Sequence, residues 1–112
     1  MSYGVVRIGD RDVPMQANAA SPIRYKQVFH KNIMPLFTKE LPEAEAQEML
    51  MELAYVMASA PPLSYDGYIA WLEQFDALDF FTAPVIEGIR DIYAGNLVTG
   101  SEVKKSPDLQ TD

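Results

Sequence analysis

The apolar positions of the chain fall into two periodicities, one short and N-terminal and one helical. Between Tyr3 and Ile8 the β-branched Val5, Val6 and Ile8 predict a strand, and Gly9-Asp10 predicts a turn. Asp12-Val13-Pro14-Met15 predicts a shorter return strand. Pro14 has no N–H to give to a ladder, which confines that strand to an edge. A two-stranded hairpin is marginal in water, so it must pack on helices or pair with another chain. The period then lengthens. Ser21-Pro22 predicts a helix start, with Ser21 as the cap and Pro22 in the first helical position. Ile23, Tyr25, Val28 and Phe29 give that helix a mixed apolar face, and Arg24, Lys26, His30 and Lys31 give it a basic side. Pro35 interrupts the apolar run from Asn32 to Leu41, which predicts a turn near Asn32 and then a short helical segment.

Pro42 opens the strongest helical pattern. Ala46, Met49, Leu50, Leu53, Met57 and Ala60 recur at helical spacing, and Met51, Ala54, Tyr55 and Ala58 form a second stripe. From Met49 onward this helix is apolar nearly all round, which predicts a central position. Pro61-Pro62 ends it. Ser64 is the expected cap of the next helix, with Tyr68, Ile69, Leu72 and Phe75 on one face and Trp71 beside them. Asp76 to Phe81 reads as an irregular connection. Thr82 is the expected cap of a last helix carrying Val85, Ile86, Ile89, Ile92 and Tyr93, with Gly95 as its C-cap. The expected fold is mostly α. A short N-terminal β-hairpin (3–16) packs on a compact bundle of about four helices (21–95). Together they form a single globular domain over 1–96, followed by a flexible, disordered C-terminal tail over 97–112.

Composition narrows the chemistry. A chain of 112 residues supports one core. The absence of cysteine excludes disulfides, thiolate catalysis and cysteine zinc sites, and the single His30 cannot build a multi-histidine metal centre. Met1-Ser2-Tyr3-Gly4 does not read as a signal peptide, and no run approaches the roughly 20 apolar residues of a membrane span. The net charge of −7 is unevenly spread. Residues 1–39 hold six Lys/Arg against two Asp, whereas residues 40–94 hold eleven Asp/Glu against Arg90 alone. A basic head on an acidic body is a poor nucleic-acid footprint and points to protein partners. It also allows head-to-tail association of like chains into a homo-oligomer.

Glu73, Asp76 and Asp79 are the one carboxylate grouping that could supply an acid and base or a divalent-ion site. A solvated loop and helix face is the simpler reading, because no calcium loop, nucleophile motif or phosphate loop accompanies them. The clustered Met49, Met51 and Met57 sit on a helical pattern, which makes them core before binding surface. Trp71, Phe75, Phe80 and Phe81 are core candidates too. A double Phe in a connection cannot easily bury both rings, so one is expected to serve a partner. The candidate partner-binding residues are Met51, Tyr55, Trp71, Phe80 and Phe81.

One segment carries a family resemblance. Arg7-Ile8-Gly9-Asp10-Arg11-Asp12-Val13-Pro14-Met15, followed by Ala17-Asn18-Ala19-Ala20-Ser21-Pro22-Ile23-Arg24-Tyr25-Lys26-Gln27-Val28-Phe29, resembles the N-terminal part of tail assembly chaperones. These belong to long-tailed phages, and prophages, of Gram-positive bacteria. The likeness covers roughly residues 5–29, and further along it rests on helical architecture and size. It implies a non-catalytic chaperone with no cofactor. Its partners would be the tape measure protein and the tail tube protein, with no nucleic acid and no membrane. It would act in the host bacterial cytoplasm and be absent from the mature virion. Many members of that family are also made in a longer, frameshifted form. Lys104-Lys105 is the candidate frameshift position, since consecutive lysine codons can supply a slippery run. The alternatives are a small helical adaptor or regulator, a minor virion structural protein, and an enzyme built on the three carboxylates.

Overall fold

The computed structural model describes residues 1–97. β1 (Ser2–Ile8) and β2 (Arg11–Ala17) form an antiparallel pair in register from Ser2↔Ala17 to Ile8↔Arg11. Gly9 takes a positive φ of 63° in the two-residue turn, a conformation only glycine adopts without cost. β2 is longer than expected and runs through Pro14, which pairs opposite Val5. A strand of a two-stranded sheet is an edge, so proline removes no bond from a second neighbour.

Alternation sorts the hairpin into two faces. Val6, Ile8, Val13, Met15 and Ala17 point inward and are buried, while Tyr3, Val5, Pro14 and Gln16 remain exposed. The inner face lies on two helices, α3 (Glu43–Ala58) and α5 (Ala83–Gly95). The fit over α5 is close. A Cβ on Gly4 would stand 2.9 Å from Ile92, and one on Gly95 would stand 2.6 Å from the Ser2 hydroxyl. Gly95 therefore ends inside the helix, where it admits β1. The C-cap position expected for it falls to Asn96, whose side-chain amide donates to the Asn18 carbonyl at 3.0 Å.

Among the described residues five α-helices form the body, where about four were expected. The addition is the single turn α2 (Pro35–Thr38), in the place of the short segment predicted after Asn32. α1 spans Ser21–Phe29. Ser21 is its first helical residue and is buried, so it does not cap in the expected way. Instead the Asn18 carboxamide accepts from the Ala20 N–H at 2.9 Å, and the Ser21 hydroxyl accepts from the Asn18 N–H at 3.0 Å. The helix ends where His30 turns left-handed at φ 59°. Ser64 caps α4 (Tyr65–Leu72) as expected, its hydroxyl accepting from the Gly67 N–H at 2.9 Å. Thr82 precedes α5 without a side-chain capping bond. The connection at 76–81 is ordered as a 3-10 turn, Ala77–Phe81.

α3 is central. Eight of its residues between Met49 and Met57 are buried, leaving only Met51 half-exposed in that stretch. The hairpin, α1, α2, α4 and α5 all contact it. Residues 98–112, including Lys104 and Lys105 and nearly all of the expected tail, lie outside the described residues. Leu53 is fully buried at the middle of α3, so Leu53→Ala is expected to cost about 2–5 kcal/mol in urea unfolding. Glu45→Ala, on the exposed first turn, should stay within about 0.5 kcal/mol of the wild type.

Candidate functional site

The five candidate residues separate into two groups. Phe80 is 1% exposed and Tyr55 is 5% exposed, so neither presents a surface. With the half-buried Trp71 they make an internal aromatic cluster. The Trp71 ring lies 5.8 Å from both Tyr55 and Phe80 and 5.0 Å from Phe75. Arg11 closes this cluster from the hairpin side, lying over Phe75 at 5.4 Å and donating to the Gln74 carboxamide at 2.8 Å. These aromatics fasten α4 and the 3-10 turn to α3. The double Phe divides, with Phe80 inside and Phe81 half-exposed.

Met51 and Phe81 are brought together elsewhere. They line a groove of about 400 Å³ between α3 and α4, with Tyr65, Tyr68, Ile69 and Leu72 along its α4 wall and Glu48 on its α3 wall. The α4 residues stand at i, i+3, i+4 and i+7 and so share one helical face. That face is only partly covered, since Tyr65 is 55% exposed and Ile69 38% exposed. Tyr65 also walls a second groove of about 340 Å³, whose other lining residues are Val28, Phe29 and His30 at the end of α1 and Glu52 on α3.

Glu52 is the one charged residue in the buried stretch of α3, with 4% of its surface exposed. Tyr25 donates its hydroxyl to Glu52 Oε1 at 2.6 Å, and the half-exposed Lys31 ammonium meets the same oxygen at 3.1 Å. A buried carboxylate is costly unless it is paired and hydrogen-bonded, and here it is both. Aromatic rings surround the group. Phe29 lies 5.1 Å from Tyr25 and 5.0 Å from Tyr68, and Tyr65 lies 5.8 Å from Tyr68. Periodicity reasoning missed Glu52, Tyr65 and the groove itself. The signal was present as a single acid inside an otherwise apolar helical run.

Burial raises the Tyr25 pKa above its ordinary value, and its bond to the Glu52 carboxylate raises it further. Burial also raises Tyr68, followed by the charges of Glu52 and Glu48, and burial alone raises Tyr93.

The three carboxylates considered for catalysis do not converge. Among the described residues no three His, Cys, Asp or Glu side chains come together as a metal-holding group. Asp79 instead lies against the hairpin turn, where its carboxylate would stand 2.5 Å from a Cβ on Gly9. Among those residues no helix is long and apolar enough to cross a membrane. In comparisons with known proteins, the chain matches no family model, no curated protein and no solved structure.

The tyrosines set an alkaline limit on stability. Below their ordinary pKa near 10, both folded and unfolded chains hold these protons and stability is at its full value. Above it the unfolded chain releases protons that the folded chain retains, so stability falls as pH rises. The melting temperature is expected to hold from pH 7 to 9 and to drop progressively from about pH 10. The tyrosinate absorbance contributed by Tyr25, Tyr68 and Tyr93 should rise together with unfolding. Tyr25→Phe should lower stability at pH 7 by about 1–3 kcal/mol, because Glu52 loses its donor, and should flatten the alkaline fall.

Proposed function

We propose that this chain is a non-catalytic tail assembly chaperone of a long-tailed phage or prophage of Gram-positive bacteria. In this reading it binds the tape measure protein and helps recruit tail tube subunits. The α3–α4 groove carries the proposal. It is long on partly covered apolar surface, its wall residues sit at the i, i+3, i+4 and i+7 spacing that receives an amphipathic helix, and Glu48 rims it. A half-exposed methionine adapts to clients whose apolar stripes differ in shape. The segment that resembles the family, residues 5–29, makes up most of the hairpin and all of α1. We read α1, α3, α4 and α5 as the four-helix body of such a chaperone and α2 as a connecting turn. The chaperone acts in the host cytoplasm and does not remain in the mature virion.

The test is co-expression with helical segments of the tape measure protein encoded beside the gene. The expected outcome is a soluble complex with the wild type. Met51→Asp or Phe81→Asp should weaken it at least tenfold, because either places a charge in the groove, on the scale of about 1.4 kcal/mol or more. Gln16→Ala, on the outer face of the hairpin, should leave it unchanged. No complex with any tape measure segment would overturn the reading. Recovery of the chain from purified particles would favour a virion structural protein instead.

A further inference from the structure

The second groove holds an arrangement that the apolar binding surface does not need. A carboxylate with 4% of its surface exposed lies at its lining, with the rings of Phe29 and Tyr65 beside it. A carboxylate among aromatic faces is the chemistry that recognises an organic cation, by charge-assisted hydrogen bonding on one side and cation–π contact on the other. A cation already occupies it, the Lys31 ammonium, at 3.1 Å from Oε1. Lys31 follows the left-handed turn at His30, outside any helix, and its side chain is 39% exposed. It can swing into water at little cost, because a flexible, half-solvated ammonium keeps its hydration. Glu52 has no such choice, since it stands in the buried stretch of α3 with 4% of its surface exposed.

We propose that the Glu52 groove is the binding site for a lysine or arginine side chain of the partner protein, and that Lys31 holds the site until the partner's cation displaces it. This rests on the reading of the α3–α4 groove as the seat of a partner helix. Tyr65 walls both grooves, so a helix lying along Met51, Ile69 and Leu72 would bring its end to the Glu52 groove. Charge complementarity favours a basic occupant. Residues 40–94 hold eleven acidic side chains against Arg90, and Glu48 rims the apolar groove next to this site. The occupant is therefore an amphipathic helix with an apolar stripe that ends in a basic residue. The exchange keeps Glu52 paired throughout, which an incoming neutral side chain cannot do.

The experiment uses the full chain and two synthetic amphipathic helical peptides of about 15 residues, long enough to hold helical structure on binding. They share a leucine stripe and differ at one terminal position, lysine in one and norleucine in the other. Isothermal titration should show the lysine peptide binding about tenfold tighter, the worth of one charge-assisted hydrogen bond. Lys31→Gln, which removes the internal competitor, should tighten the lysine peptide further and leave the norleucine peptide unchanged. Glu52→Gln should erase the preference. A second readout on the wild type does not depend on the folding of any variant. The side-chain 15N and 13Cε resonances of Lys31 should move to free-lysine positions with the lysine peptide and stay in place with norleucine. Equal binding of both peptides, with Lys31 undisturbed, would overturn the cation site and leave the apolar groove standing. Failure of both peptides to bind would overturn the groove reading and this inference with it.

Discussion

α3 has to be covered around nearly all of its circumference between Met49 and Met57, and each other element takes its place from that requirement. A helix apolar around its circumference cannot face water at the surface of a chain this small, so its neighbours must surround it. β2, α1, α2, α4 and α5 supply that cover, and Met51 alone in the stretch stays half-exposed, at the α3–α4 groove. The hairpin gains as much as it gives. Two strands alone are marginal in water, but the inner row of Val6, Ile8, Val13, Met15 and Ala17 becomes buried once α3 and α5 lie beneath it. The close approach of β1 to α5 follows from small residues at Ser2, Gly4, Gly88 and Gly95. A Cβ on Gly4 or Gly95 would force the Ile92 or Ser2 side chain to shift.

Within that core, Glu52 is the costly element, and its partners explain several other features. Its negative charge requires a donor that is itself buried, and Tyr25 on α1 supplies one at 2.6 Å. Aliphatic residues at these positions would pack without the penalty of a buried charge, so the pair is weak as a stability device. It makes better sense as a specification of where α1 sits against α3, and of what stands ready at the groove. Tyr25 packs on Phe29, and Phe29 in turn meets Tyr65 and Tyr68, which leaves Phe29 and Tyr65 as aromatic walls of the groove that Glu52 lines. The same buried hydroxyls then limit the alkaline range in which the fold persists.

Local rules read from the chain identify most elements and fewer of their ends. Ser64 caps as its position before an apolar run implies, and the all-round apolar pattern after Met49 places α3 at the centre. Ser21 and Gly95 were expected to act through backbone termini. Ser21 instead closes a local turn, its hydroxyl accepting from the Asn18 N–H, and Gly95 makes room for Ser2. Propensity cannot see the role of Gly95, because it depends on which strand arrives next to the residue. The candidate contact residues illustrate the same limit. Met51 and Phe81 share a groove, but Tyr55, Trp71 and Phe80 are joined by ring packing that only the α3–α4 approach creates. An aromatic residue in an apolar helix is equally suited to either use, and burial decides between them.

The charge pattern acquires a physical meaning once the elements are in place. The basic head is the hairpin with α1 and the segment after it, and the acidic body begins just before α3. At the Glu52 groove the two meet, with Lys31 from the head against the one buried acid of the body. Elsewhere the acidic side chains of the early α3, Glu43, Glu45 and Glu48, stand in solvent, where salt screens them. Glu52 differs because the low dielectric around it preserves its field and because its geometry is set by packing. A partner cation drawn by the exposed acids would therefore find a single oriented carboxylate beside the apolar groove. In the binding proposed above, attraction and registration are thus separate, and the registering charge is buried and already paired before the partner arrives.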